Sequence, residues 1–205
     1  MTDKIIVADD HPLFRDGISR IIRRIVPGKI VEVDDAKGLW EESKLQPPPT
    51  LFVLDLVFPG FEGDKSVAQL RRNYPQSAII VITMNDEKET AQSIVNAGAN
   101  GLISKSVTPD QMIGAINQIL EGDLVICLQS EPEIETQNDI SMSDLPQRQI
   151  DLLVRLGQGK TNKEIARDLD ISPFTVRAHM SALFKSLSVT TRAAAASLAT
   201  KHGLV

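Results

Sequence analysis

Through its first 122 residues the chain alternates between two hydrophobic periods. Short β-branched runs recur at "KIIVA", "KIVEV", "TLFVLDL", "AIIVIT" and "GLISK", and several are apolar at nearly every position. Between them apolar residues recur at helical spacing, for example Leu13, Ile18, Ile21, Ile22 and Ile25, as in an amphipathic helix. Strands that are apolar on both faces must be covered on both faces. Five such strands alternating with helices predict an α/β fold, a five-stranded doubly wound parallel sheet. Pro47, Pro48 and Pro49 read as a stiff loop before the third strand. Around residue 123 the alternation stops. "QSEPEIETQNDISMS" is acidic, polar and free of aromatics, so 123–142 reads as a linker that is mobile at least in part, with an ordered loop between domains as the alternative. From Asp144 the pattern is helical throughout. The expected organisation is an α/β domain over 1–122, a linker over 123–142 and an all-α domain over 143–205, with no internal repeat.

Composition narrows the class without choosing the function. At 42% hydrophobic and 24% charged residues the chain is ordinary for a globular protein. No run approaches the ~18 apolar residues of a membrane span, and no signal peptide is evident, so no membrane partner is expected. The lone cysteine, Cys127, excludes an internal disulfide and fits a reducing, cytoplasmic setting. His11, His179 and His202 are too scattered to suggest zinc. Charge is uneven. Residues 141–205 carry nine Lys/Arg against five Asp/Glu, whereas residues 1–140 carry thirteen against twenty-two. Such asymmetry points to different partners for the two parts, the basic one suited to a phosphate backbone.

The candidate chemistry lies at the strand ends. In an open parallel sheet ligands bind beyond the carboxyl ends of the strands, where strand order reverses. Asp9 and Asp10 follow the first strand, Asp55 ends the third, Thr83 ends the fourth and Lys105 follows the fifth. Singly, each is an ordinary cap, turn or surface residue. Jointly they occupy one edge. Three crowded carboxylates repel unless a cation joins them, and an all-oxygen set suits Mg²⁺, which accepts phosphate oxygens as further ligands. The metal would hold a phosphoryl group against a carboxylate nucleophile, with the Thr83 hydroxyl and Lys105 ammonium serving its oxygens.

"VADDHPLFRDG", "LDLVFPGFEG", "VIT" and "GANGLISK" resemble the receiver domain of bacterial two-component response regulators, over roughly residues 3–121. The resemblance implies that Asp55 is the phosphoacceptor, that Asp10 ligates Mg²⁺ directly and Asp9 through water, and that the Val57 backbone carbonyl is a further ligand. It also implies a sensor histidine kinase as partner, with Thr83 and Lys105 contacting the phosphoryl group and reporting it. Three positions depart from the family pattern. Leu102 stands where an aromatic switch is common, Met84 where a small residue follows the threonine, and Val57 where a polar residue is usual. Met84 and Val57 are expected to shield the phosphoryl bond and slow autodephosphorylation, with slow phosphorylation as the competing outcome.

In the last part, "KTNKEIARDLDISPFTVRAHMSALFKSL" reads as two helices around a tight turn. Thr161 and Glu164 have capping-box spacing, and Ser172 with Pro173 starts the second helix. Ile165, Ala166 and Leu169, then Val176, Met180, Leu183, Phe184 and Leu187, form the apolar faces. Arg177, Ala178, Ser181 and Lys185 lie off that face, with Thr175 at the helix start, and Lys163 is available to a phosphate. A helical bundle without a nucleic-acid role fits the same periodicity. The segment is similar to the LuxR-type helix-turn-helix of NarL/FixJ response regulators over about residues 144–205. That resemblance implies base-facing Arg177, Ala178 and Ser181, backbone-contacting Lys163, Thr175 and Lys185, and dimerisation through a final helix from about Arg192 to His202. Gln149 and the "SLS" at 186–188 depart from the pattern, the latter by losing a lysine.

The expected function is therefore a DNA-binding transcription regulator, not an enzyme, which binds double-stranded DNA as a dimer once Asp55 is phosphorylated. One rival is an Mg²⁺-dependent phosphatase, which needs an acid two residues after the nucleophile, where this chain has Val57. The other is a receiver that signals by binding alone.

Overall fold

The computed structural model describes residues 3–128, 145–171, 173–189 and 191–205. Its first part is a parallel sheet in the order β2-β1-β3-β4-β5-β6, made by β1 (Lys4–Ala8), β2 (Lys29–Val33), β3 (Leu51–Asp55), β4 (Ala78–Thr83), β5 (Gly101–Ser104) and β6 (Val125–Cys127). Alternation decides which face each side chain covers. Ile5 and Val7 of β1 join α1 (Pro12–Ile25) and α5 (Pro109–Glu121) in one core, while Ile6 and Ala8 join α2 (Ala36–Lys44), α3 (Asp64–Asn73) and α4 (Lys88–Asn96) in the other. Strands β1, β3 and β4 are buried along their whole length, as their uninterrupted apolar runs require.

Two sequence expectations need correction. Among the described residues the sheet has six strands, not five: β6 pairs in parallel with β5, Gly101 opposite Val125 through Ile103 opposite Cys127. It comes from the stretch read as the start of the linker, where three residues are too few to display a period. The unpaired edge of β5 and the side of α5 give it a seat. Gly101 makes that seat possible, since a Cβ there would stand 2.4 Å from the Ile119 side chain and 2.8 Å from the Val125 carbonyl. The second correction is Leu13, assigned to the apolar face of α1 but 91% exposed. At about 100° per residue Leu13 points about 140° away from Ile18 and about 180° from Ile22, and Phe14 takes the core-facing place in that turn.

The second part is all-helical: α6 (Gln147–Gly157), α7 (Asn162–Leu169), α8 (Pro173–Ser186) and α9 (Arg192–Lys201). Thr161 and Glu164 form the expected capping box on α7, and the N–H and hydroxyl of Thr161 hold the Glu164 carboxyl below its usual range. Leu152, Leu156, Ile165, Met180, Phe184 and Ala195 are among the side chains of its own core. The acidic stretch 129–143, read as linker, lies outside the described residues, as does Ser172. Among the described residues no helix is long and apolar enough to cross a membrane.

Candidate functional site

Strand order reverses between β1 and β3, because the chain runs outward to β2 and returns across β1. At the carboxyl edge of that reversal Asp9 and Asp55 are 1% and 5% exposed. Lys105 spans them, its Nζ donating at 2.7 Å to Asp9 Oδ2 and at 2.7 Å to Asp55 Oδ2. The other oxygens are also occupied: Asp9 Oδ1 accepts from the His11 N–H at 2.8 Å, and Asp55 Oδ1 from the Val57 N–H at 3.3 Å. Backbone bonds set these positions. Lys105 N–H donates to the Thr83 carbonyl at 2.7 Å, fixing β5 against β4 where both enter the site. Asp55 lies opposite Ile82, one step before Thr83, whose buried hydroxyl accepts from the Asn85 N–H at 3.0 Å.

Asp10 is more exposed and pairs with His11 Nδ1 at 2.7 Å. Asp9, Asp10, His11 and Asp55 each offer a ligand atom within 4.8 Å of the others. Three carboxylates with one shared lysine leave an excess of negative charge, so the donor set fits a small hard dication. Val57 and Met84 stand on the loops beside Asp55 and are 71% and 69% exposed. Leu102 is fully buried beneath α4, packed with Ala91 and Ile94.

The helical domain meets the other edge of the sheet. Thr175, in the first turn of α8, is 3% exposed and shares a pocket with Pro48, Pro49, Tyr74 and Ser77 at the amino ends of β3 and β4. His179 and Ala182 line a second cavity with Arg71, Gly98 and Leu124. Polar bonds hold the contact. The Arg192 N–H donates to Asp123 Oδ1 at 2.8 Å, Asn162 Nδ2 donates to the Glu121 carbonyl, and Arg192 Nη1 donates to Asn162 Oδ1 at 2.9 Å. Gly122 ends α5 with φ of 109°, and a Cβ there would approach Asn162 and Met180 at 3.2 and 3.3 Å.

The structure thus gathers Asp9, Asp10, Asp55, Thr83 and Lys105 at one edge, with Val57 beside them. Of the candidate DNA contacts, Lys163 is exposed and Thr175 is covered. The side chains of Arg177, Ala178, Ser181 and Lys185 lie outside the described residues. Sequence reasoning missed Asp123, Arg192 and Arg71. Arg71 donates to the carbonyls of Gly98 and Ser77 and to Asn100 Oδ1 at 2.9, 2.7 and 2.7 Å, and burial lowers its pKa to about 10. No local pattern singles out these residues, since each works through a partner distant in sequence.

Two families match the chain: "Response regulator receiver domain" over residues 5–117, and "Bacterial regulatory proteins, luxR family" over residues 143–199. The glycerol metabolism activator of Pseudomonas putida is 32% identical over 201 residues, covering 92% of this chain and 91% of that protein. A LuxR-family two-component response regulator from Aurantimonas sp. is 31% identical with a TM-score of 0.54, over 61% of this chain and 89% of its own. The Salmonella typhimurium response regulator RcsB shares the fold at 23% identity and a TM-score of 0.53, over 97% of this chain and 98% of its own.

Proposed function

Since this chain belongs to the bacterial response-regulator family and carries a LuxR-type domain behind its receiver domain, we propose that it is a DNA-binding transcription regulator switched by phosphorylation of Asp55. The observation that carries the reading is Lys105, whose ammonium bridges Asp9 and Asp55 at the reversal of strand order. In this reading Asp55 attacks the phosphorus of a phosphohistidine on a sensor kinase. The new Oδ–P bond forms as the P–N bond breaks, and the imidazole nitrogen keeps the electron pair. Lys105 then moves from carboxylate to phosphoryl oxygen, and the Thr83 hydroxyl donates to another. Asp9, Asp10, Asp55 and the Val57 carbonyl would hold Mg²⁺, which when bound supplies positive charge to the acids and to the phosphoryl oxygens alike. Val57 offers no acid to protonate a leaving group, which favours a protein that keeps its phosphoryl group over a phosphatase that turns over.

The domains we assign are a receiver that includes β6 and so runs to residue 128, a linker from there to residue 142 and an effector over 143–205, in a cytoplasmic protein. The described arrangement is a resting one. Thr175 is buried where α8 meets the receiver, and α9, the proposed dimerisation helix, is tied at its first residue to Asp123. DNA and a second copy would thus compete with the same docked receiver. Asp55 and the docking surface lie at opposite ends of the strands, and β4 alone spans six residues, about 20 Å. The signal must therefore cross the sheet, and α4 with β5 is one connection that touches both: Lys105 follows β5, and Val95, Ala97 and Gly98 line the docking cavity. Leu102, already buried, contributes no rotating aromatic to that route.

The test is intact mass after incubation with acetyl phosphate and Mg²⁺, for wild type and Asp55→Asn, followed by binding of each form to a random-sequence DNA library. One hydroxylamine-labile phosphoryl adduct in wild type only, with stronger retention of DNA, is expected. An adduct in both proteins would move the phosphoacceptor elsewhere. Its absence from both, with no binding of beryllofluoride, would refute the switch.

A further inference from the structure

Carboxylates are not the only groups that hold Lys105. Its Nζ lies 4.4 Å from the centroid of the Phe14 ring, in the first turn of α1. The lysine side chain is 7% exposed, so the ring stands where water would otherwise hydrate the ammonium. Phe14 is itself anchored, half-buried and packed against the core that includes Ile18 and Val107. Resting on the reading of Asp55 as phosphoacceptor, we infer that Phe14 is a positioning residue for phosphoryl transfer, holding the Lys105 ammonium over the site when its two carboxylate partners become engaged.

The need for such a residue follows from the geometry. Both oxygens that bind Lys105 belong to groups the reaction requires elsewhere: Asp55 becomes an acyl phosphate and Asp9 joins the cation seat. The ammonium then loses both counter-charges before, or as, the phosphoryl oxygen arrives. A lysine head is a strongly hydrated charge on a flexible stem, and released from its partners it favours water. A donor that must reorganise from solvent stabilises a transition state less than one already in place. The aromatic face attracts the cation without accepting its protons, and it is no competitor for a metal. A carboxylate in that position would do neither. An aliphatic side chain of similar size would fill the space but carries no quadrupole, which makes Phe14→Leu the informative change and Phe14→Tyr the conservative one.

The experiment uses the full chain as wild type, Phe14→Leu and Phe14→Tyr. The first readout is the proton shift of the Lys105 ε-methylene in the presence of Mg²⁺ and beryllofluoride. An upfield ring-current shift in wild type and Phe14→Tyr, absent in Phe14→Leu, is expected. The second is phosphorylation by acetyl phosphate at saturating Mg²⁺. Here the maximal rate of Phe14→Leu should fall about three- to tenfold with the half-saturating acetyl phosphate unchanged, and that of Phe14→Tyr by less than about twofold. A residue that merely packs would change melting temperature without this split and without tyrosine rescue. Lys105 protons unshifted in loaded wild type, Phe14→Leu as fast as wild type, or Phe14→Tyr as slow as Phe14→Leu would each overturn the assignment of Phe14 alone. A wild type that takes up neither phosphoryl group nor beryllofluoride would overturn the reading of Asp55, and the assignment with it.

Discussion

Replacing Asp123 by alanine should loosen the docking of the two domains while leaving each folded. Asp123 follows the C-terminus of α5, and its carboxylate accepts the backbone N–H of Arg192 at 2.8 Å, at the N-terminus of α9. An acid there is favoured by the helix dipole. It also offsets, in part, the lowering of the Arg192 pKa by burial. A hydrogen bond to a charged acceptor contributes about 1.5–3 kcal/mol, and partial exposure brings the expected loss here to about 1–2 kcal/mol. The helix itself does not need Asp123, because Thr191 already caps it by accepting from the Ala194 N–H at 3.2 Å. The loss should therefore appear in the equilibrium between docked and open forms, shifting it by roughly five- to thirtyfold. The assay is fluorescence anisotropy with DNA selected by the phosphorylated protein, at one fixed salt concentration. It compares Asp55→Asn with Asp55→Asn/Asp123→Ala, so that phosphorylation plays no part. When the open fraction is small, apparent affinity scales with it, and the double variant should bind about five- to thirtyfold more tightly. Equal affinity for the two variants, while beryllofluoride still tightens binding by wild type, would refute the role given to this contact.

Lys105→Met would leave Asp9 and Asp55, 1% and 5% exposed, without their shared cation. The receiver should lose about 3 kcal/mol at neutral pH, and Mg²⁺ should recover more of its melting temperature than in wild type; an unchanged melting temperature would mean the acids are not paired in solution. Met84 and Val57 flank Asp55, so Met84→Ala should shorten the lifetime of the phosphorylated form about threefold, as read by loss of the mass adduct. An equal lifetime would mean that Met84 shields nothing. Burial first, then the charge of Arg148, lowers the pKa of His179, which also faces Asp151 of α6 and the cavity lined by Arg71. Protonation therefore opposes the packing of α8. The contact is unaffected above the ordinary value of about 6.5 and weakens as pH falls below it toward the lowered one. Small-angle scattering should detect opening as pH is lowered below about 6.5, and His179→Gln should flatten that dependence.

The receiver was legible in the sequence because its signals are local. Uninterrupted apolar runs such as "AIIVIT" state both strand and double coverage, and a parallel sheet brings every carboxyl end to one edge. That is why Asp9, Asp55, Thr83 and Lys105 could be assigned to one site from their positions after four runs. The effector core was equally readable, as Ile165, Val176, Met180, Leu183 and Phe184 are all fully buried. Where the local signal was short or ambiguous the reading went astray. Three residues of β6 carry no period, and Leu13 lies on the side of α1 opposite Ile22, where Phe14 rather than Leu13 continues the apolar face.

By itself, then, the sequence determined the elements, their apolar faces and the edge on which the acids lie, since these depend on side chains a few positions apart. Tertiary structure decided which surfaces meet. Lys105 finds Asp9 and Asp55 across 96 and 50 positions, and Phe14, spaced with Ile18 and Ile22 as a core residue, receives the same ammonium on its ring. Thr175 is buried where α8 meets the amino edge of the sheet, and Asp123 meets Arg192 only in that docked arrangement. Periodicity records that a face is apolar or a group is charged. Which partner satisfies it depends on the total burial and pairing that the whole chain can achieve at once.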